Sequence, residues 1–381
     1  MAKPAYQFVD NIRCIAMLSI VTEHTSYIGS YVYTPDSATF WAYLTSIQLV
    51  KFGTISFFII AGFLFAENSE RYRAADYLKR RIHNIFKPWL FWSLAFLSIL
   101  AIIPAIIHLN SGASLKLAIS TVWWGAKTVY LHSNYWFIIN FLFCTAVLLL
   151  SKNMIRSWKF GFALFLLTSF YSVNVYTEWI MPLHTMAIFG FVFFYWLGVQ
   201  INLHLSKIDE FITKISRRWF VLLIAITVFL GVQEAAYLYS VKSIDPINTL
   251  RISNIIFSLS AFALILRVKN FNWLSFLQPR KTTYGISLIH YILVFSFLPL
   301  VMGEIDIRTL ASFSIMDMYE YQFTRFFLVY TLTFVAVKAL QSSNLSWMIG
   351  LKKPEKVISE AFPPIQVSAQ ERRIAVETEA A

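Results

Sequence analysis

The chain has 381 residues, of which 58% are hydrophobic and only 14% are charged. This composition excludes an ordinary soluble domain, because the apolar residues come in repeated blocks longer than a globular core needs. The formal net charge of +12 is better explained by basic cytoplasmic loops than by nucleic acid, so we expect membrane lipids and no nucleic acid as partners.

A transmembrane helix needs about 20 apolar residues. Ten segments approach this length: 10–30, 44–66, 84–108, 135–150, 158–175, 184–201, 219–239, 249–267, 284–302 and 321–340. An eleventh stretch, 113–131, carries two lysines and is expected to be an interfacial helix or a re-entrant piece. We predict an all-α, polytopic membrane protein of about ten transmembrane helices. The transmembrane domain spans 1–350, and 351–381 is a flexible cytoplasmic tail.

The distribution of lysine and arginine supports this order of segments. With the N-terminus inside, 24 of these residues fall in cytoplasmic segments and five in outer loops. Such an excess is typical of the positive-inside pattern. Both termini are therefore predicted to be cytoplasmic, in a multi-pass protein of the cell (cytoplasmic or inner) membrane. A signal peptide is not expected, since the first apolar block lacks a cleavage site and contains charged residues.

The first segment, RCIAMLSIVTEH, carries three ionisable residues, Arg13, Glu23 and His24. Eleven residues of helix turn through about 1100° and rise about 16 Å, so Arg13 and His24 share one face. Ionisable side chains inside a bilayer usually face the bundle interior or a wet cavity. We therefore expect this face of the first helix to line a cavity.

Structural roles for the same residues are open at this stage. Arg13 could snorkel to the interface and pair with Asp10, and His24 could make a hydrogen bond between helices. Glu23 lies about 100° from His24 around the helix, so it is expected to pair with a neighbouring helix; it is also a candidate substrate-binding residue.

The Arg–ten residues–His spacing on a first transmembrane helix resembles the signature of the acyltransferase-3 family, integral membrane proteins that O-acylate sugars. Four later stretches also resemble the motifs of this family, in the same order. The five motifs are FVDNIRCIAMLSIVTEH (8–24), ISFFIIAGFLF (55–65), YLKRRIHNIFKPWLFWSL (77–94), NYWFIINFLF (134–143) and TTYGISLIHYILV (282–294). The rest of the pattern resembles the stand-alone subgroup related to polysaccharide acetyltransferases. It departs from many members at Asn84, where they carry a second arginine.

The resemblance implies an acyl-CoA donor, most often acetyl-CoA, as a substrate and not as a permanently bound cofactor. It also implies a carbohydrate or lipid-linked sugar acceptor. We expect His24 to be the general base toward the acceptor hydroxyl, because histidine titrates near neutral pH. The alternative mechanism is an acyl-histidine relay, in which the histidine itself carries the acyl group. Arginine forks suit phosphate. The basic residues expected to hold the nucleotide end of the donor, together with Arg13, are Lys79, Arg80, Arg81 and Lys87. The alternative is that these basic residues only set the membrane topology of the chain.

The later motifs add further candidates. His290 and Tyr284 are expected to orient His24 or to contact the acyl group, unless they only join helices. Trp136 is expected to stack on a sugar or on the donor, unless it belongs to an aromatic interface belt. Glu234, an acid among apolar residues, is expected to bind acceptor hydroxyls.

A second class of function remains open, a transporter or exporter with an intramembrane His/Arg proton relay. The sequence shows no internal repeat and no paired broken helices, which are typical of such transporters, so the enzyme is favoured. No Cys/His cluster has metal-ligand spacing. The identity of the acceptor and of the acyl chain is not encoded in these motifs.

Overall fold

The computed structural model describes residues 6–26, 33–69, 74–268, 271–303 and 307–351. The predicted cytoplasmic tail lies outside the described residues, except for Leu351. Lys3, Arg71 and Arg73, which were assigned to cytoplasmic segments, also lie outside them.

The regular structure of the described ranges is entirely helical. The α-helices, numbered in chain order, are α1 (Gln7–Ser26), α2 (Ala38–Val50), α3 (Gly53–Ser69), α4 (Ala74–Arg81), α5 (Lys87–Leu97), α6 (Ile103–Asn110), α7 (Leu115–Lys127), α8 (Trp136–Leu150), α9 (Trp158–Thr177), α10 (Val192–Leu203), α11 (Leu205–Lys214), α12 (Arg217–Ser240), α13 (Ile252–Val268), α14 (Pro279–Ile292), α15 (Leu298–Met302), α16 (Ile307–Ala311) and α17 (Ile315–Ser342). Short π-helical turns join α4 to α5, α5 to α6 and α14 to α15.

The predicted all-helical, multi-pass membrane architecture is confirmed. Within the described ranges, six helical stretches are long and apolar enough to cross a membrane, and up to eight if each of two bent helix pairs is one span. Each of the ten predicted segments overlaps a helix, but the number ten and the cytoplasmic location of the termini stay predictions. The helix α1 has spanning length and carries Asp10, Arg13 and Glu23 within its 20 residues.

Helix α1 lies at the centre of the bundle. It packs against α3, α14 and α17, and also contacts α2 and α13. Half of its residues are buried, including Asn11, Ser19 and Thr25. Because protein surrounds the helix on several sides, its charged side chains can face other protein groups and cavities instead of lipid tails.

Helices α3 and α10 approach each other unusually closely. A Cβ atom added at Gly62 would fall on the backbone carbonyl of Tyr195, and one added at Gly198 would fall on that of Ile59. Small residues allow such close backbone contact in membrane bundles, where dispersion forces drive helix association. This contact fixes α3 beside α1, where α3 forms one wall of the site described below.

The stretch 113–131 forms α7 and the first part of a π-helical turn, which leads into α8. The two helices meet at an angle of 57°, as in a broken span or a re-entrant loop. The bend does not decide between a broken span and a re-entrant piece, so the expected interfacial helix or re-entrant piece stays a prediction. The bend brings Asn134 and Trp136, at the start of α8, to the interior of the bundle.

Candidate active site

One face of α1 lines a cavity of about 170 Å³ at the centre of the bundle, which we call the central cavity. The residues of α1 that line it follow helical spacing: Arg13, Met17, Ile20, Glu23 and His24. The predicted same-face arrangement of Arg13 and His24 is therefore confirmed, since both side chains contact one cavity. The opposite wall comes from α14 and includes Tyr284 and His290.

His24 and His290 form a direct hydrogen bond. The His24 Nδ1 to His290 Nε2 distance is 2.8 Å, and the two ring planes lie within 5° of each other. His290 is fully buried, and its Nδ1 lies 2.7 Å from the carbonyl oxygen of Ile286. Tyr291 packs edge-on to the His24 ring at 5.1 Å. These contacts fix the orientation of the His24 imidazole.

The same contacts determine which ring nitrogens carry protons. The Ile286 carbonyl only accepts hydrogen bonds, so Nδ1 of His290 carries the proton and donates it. Nε2 of a neutral His290 is then an acceptor, and Nδ1 of His24 donates to it. Nε2 of a neutral His24 is consequently unprotonated, and no described residue hydrogen-bonds to it. This relay leaves a basic nitrogen at the central cavity.

Tyr284 lines the central cavity, but its hydroxyl is engaged. It donates a 2.5 Å hydrogen bond to the carbonyl of Ile85, in the π-helical turn between α4 and α5. A tyrosine has one hydroxyl proton to donate. In this arrangement Tyr284 connects α14 to that turn and presents its ring to the cavity.

A second cavity, of about 270 Å³, is lined by several cations and is called the basic cavity. Its basic residues are Arg13, Arg81, Arg280 and Lys281. The Asp10 carboxylate accepts from Arg13 at 2.9 Å and from Arg280 at 2.6 Å. The pairing of Arg13 with Asp10 and its position in a cavity therefore coexist, although the sequence presented them as alternatives.

Of the four basic residues predicted to hold the donor in this region, one lines the basic cavity and three do not. Arg81 lines the basic cavity, where the Tyr77 hydroxyl lies 2.9 Å from Nε and 2.7 Å from Nη2. Lys79, Arg80 and Lys87 are exposed and line none of the cavities described here. The Lys87 ammonium instead lies 4.8 Å from the centre of the Trp347 ring.

The basic cavity also contains residues that sequence reasoning assigned differently. Asn84, the departure from the family pattern, lies in its wall beside Arg81. Arg280 and Lys281 were not among the residues predicted to hold the donor. Their position directly before the TTYGISLIH motif, on the same helix as His290, was the available signal.

A third cavity, of about 550 Å³, is called the wide cavity. Glu23 and Lys51 form an ion pair of 2.5 Å in its wall, with side chains 12% and 2% exposed. Lys51 lies on the turn between α2 and α3, so Glu23 does pair outside its own helix, as predicted. Nearby, His184 Nδ1 lies 2.7 Å from Asp245 Oδ2.

His184 is not among the residues that the sequence singled out, yet it lines both the central and the wide cavity. Its ring packs edge-on to Trp136 at 5.5 Å. Burial by itself raises the pKa of Asp245, but His184 and Lys51 lower it, and the net pKa lies below its ordinary value. Only the fold brings the loop residue Asp245 to His184, which is 61 positions away.

The three cavities share wall residues. Arg13 and Tyr284 line both the basic and the central cavity. His24, Asn134 and Trp136 line both the central and the wide cavity. The cavities therefore follow one another through the bundle, and His24 lies where the central cavity meets the wide one.

Glu234 lies apart from these three cavities. Its carboxylate accepts hydrogen bonds from the hydroxyls of Tyr176 and Ser253 and lies 4.0 Å from the fully buried guanidinium of Arg251. Arg251 also donates to the carbonyl of Gly231 at 2.6 Å. These contacts give Glu234 a structural role in joining α12, α13 and α9, a different environment from the predicted acceptor site.

A sequence model of a family described as an acyltransferase domain matches residues 6–341 of the chain, which is nearly its whole length. Comparison with curated proteins and with solved structures gave no match.

Proposed function

This chain belongs to the acyltransferase-3 family, and from that premise we propose that it is a membrane O-acyltransferase. It moves an acyl group, acetyl as the first choice, from acyl-CoA to a hydroxyl of a carbohydrate acceptor. The observation that carries the proposal is the His24–His290–Ile286 relay, which presents an unprotonated nitrogen between a basic cavity and a wide polar one.

The basic cavity suits the nucleotide end of the donor. Phosphate groups favour arginine forks, and Arg13, Arg81 and Arg280 with Lys281 surround this cavity. Acyl-CoA is made in the cytosol, and the predicted positive-inside orientation places this end on the cytoplasmic side. The pantetheine arm then extends along the apolar wall of Phe57 and Phe137 into the central cavity.

The wide cavity suits the acceptor. Aromatic rings bind sugar faces, and Trp136 contributes one here. The Oδ1 of Asn134 and the Oγ1 of Thr185 are buried in its wall and have no hydrogen-bond partner among the described residues. Sugar hydroxyls can satisfy these atoms, and such a match is how polar groups in a pocket select a ligand. The acceptor we propose is a surface polysaccharide or its lipid-linked precursor, modified at the cell membrane.

The reaction then follows from the geometry. Nε2 of His24 takes the proton of the acceptor hydroxyl while the hydroxyl oxygen attacks the thioester carbonyl. His290 accepts from Nδ1 of His24 and stabilises the imidazolium that forms. Thr54 and Ser287 line the central cavity, and their hydroxyls are the groups proposed to stabilise the oxyanion. The C–S bond breaks, and the proton on His24 passes to the departing CoA thiolate.

Purified protein with labelled acetyl-CoA and cell-envelope glycans tests the proposal. His24→Ala is expected to reduce label transfer at least about 100-fold, the usual range for loss of a general base. The exposed His108→Gln is the matched control and is expected to transfer as wild type. Equal transfer by wild type and His24→Ala would contradict the proposal.

The series of cavities through the bundle is also compatible with a transporter that uses His24 and Arg13 as a proton relay. Proteoliposomes distinguish the two. A transporter moves a sugar across the vesicle membrane without acyl-CoA and without forming an ester. The acyltransferase forms the ester, and mass spectrometry of the glycan detects the added acyl mass.

A further inference from the structure

Arg325 is a cation of α17 that the proposed reaction does not use. It lines the wide cavity and is half-buried. It lies eleven residues into the helix, where apolar residues such as Phe326, Phe327 and Leu328 follow it. An ionised side chain placed within a membrane-spanning helix is costly unless a partner or a ligand compensates it.

The hydrogen bonds of Arg325 occupy only one side of its guanidinium. Nη1 donates to the Tyr321 hydroxyl at 2.7 Å, and the Tyr321 ring centre lies 5.0 Å from the guanidinium carbon. The Nε atom is buried and has no hydrogen-bond partner among the described residues. Nε and Nη2 together form the edge that matches the two oxygens of a carboxylate or phosphate.

The lysine and the two carboxylates of the wide cavity are already paired. Lys51 pairs with Glu23, and His184 faces Asp245. Within the described ranges no carboxylate lies within ion-pair distance of Arg325. Arg325 is therefore the cation of this cavity that lacks a described anionic partner, and the cavity favours an anionic ligand.

We propose that Arg325 binds an anionic group of the acceptor, a carboxylate or a phosphate, through the side of its guanidinium that the Tyr321 hydroxyl leaves free. This subsite rests on the proposed function, which places the acceptor in the wide cavity. The donor phosphates are not the ligand, because the basic cavity lies beyond the central cavity and shares no wall residue with the wide one. The anionic group comes from an acidic sugar or from the phosphate of a lipid-linked sugar.

Binding of three glycosides to the purified protein, without any acyl donor, tests this subsite. The probes are methyl glucoside, methyl glucuronoside and glucose 1-phosphate, and tryptophan fluorescence reports binding because Trp136 lines the same cavity. Wild type is expected to bind at least one anionic probe about tenfold or more tightly than the neutral one, as for a hydrogen bond to a charged group. Preference for the glucuronoside identifies an acidic sugar, and preference for glucose 1-phosphate identifies a sugar phosphate.

Arg325→Gln is expected to remove this preference, while Arg325→Lys, which keeps the charge without the fork, retains part of it. The exposed Arg308→Gln is the matched control. Equal binding of all three probes by wild type would overturn the subsite even if Arg325→Gln failed to fold. Unchanged anion preference in folded Arg325→Gln would overturn it as well.

The two proposals fail separately. Anion binding that depends on Arg325, with no acetyl transfer by wild type, would retain the subsite and refute the acyltransferase. Acetyl transfer that depends on His24 and proceeds equally to neutral and anionic acceptors would retain the enzyme and refute the subsite.

Discussion

The hydrogen bond from His24 to His290 gives the sharpest test of the proposed chemistry. His290→Phe keeps a flat ring in a fully buried position but removes the atom that accepts from Nδ1 of His24. The His24 N–H then loses its partner and the ring loses its fixed tautomer. His290→Gln is the matched variant, because its amide oxygen can accept the same hydrogen bond.

The expected magnitude follows from this single contact. Leaving a buried donor unpaired costs about 1–3 kcal/mol, which corresponds to a decrease in kcat of about 5- to 150-fold. His290→Gln is expected to recover most of that loss. The KM for acetyl-CoA is expected to stay unchanged in both variants, because the donor nucleotide is proposed to bind in the basic cavity, which His290 does not line.

Initial rates of acetyl transfer, measured against acetyl-CoA concentration, separate kcat from KM. Melting curves establish that both variants are folded. A His290→Phe protein with a kcat near that of wild type would refute the relay. A His290→Gln protein as slow as His290→Phe would show that the acceptor atom at this position is not what matters.

Arg81→Ala is expected to raise the KM for acetyl-CoA about tenfold, because it removes one charge-assisted contact to the donor. The exposed Arg80→Ala is expected to leave this KM unchanged. Similar donor KM values for the two variants would contradict the assignment of Arg81 to the donor site. Lys51→Met leaves Glu23 as an unpaired charge inside the bundle and is expected to destabilise the protein by about 3–5 kcal/mol. Thermal melting in detergent measures this change, with the exposed Lys214→Met as control; equal melting temperatures would contradict a stabilising role for the buried pair.

The sequence was most informative where all the residues of a spacing pattern lie on one helix. The eleven-residue spacing of Arg13 and His24 predicted a shared face, because helical geometry alone decides it, and the structure places both at one cavity. The expected pairing of Glu23 with another part of the bundle followed from the same rotation. The fold class followed from the apolar blocks, since each block corresponds to a helix.

Helical spacing could not predict which residues from distant segments contact each other. His184 and Asp245 meet because two loops fold over the bundle, and neither residue belongs to a periodic pattern. Among the basic residues of α4, only Arg81 turns toward the basic cavity, and charge counting does not reveal which side of a short helix faces inward. Glu234 fits the rule that an acid among apolar residues marks a functional site. In the structure, however, its carboxylate lies beside the buried guanidinium of Arg251.

The small volume of the central cavity has a consequence for the cell. A row of cavities through a membrane protein threatens the electrochemical gradient unless something blocks ion flow between its ends. At about 170 Å³, the central cavity is the smallest of the three, and Met17, Ile20 and Phe57 contribute apolar surface beside His24. Apolar constrictions resist wetting and thereby hinder ion passage. The central cavity, where the thioester and the hydroxyl are proposed to meet, would thus also limit the leak of ions across the membrane.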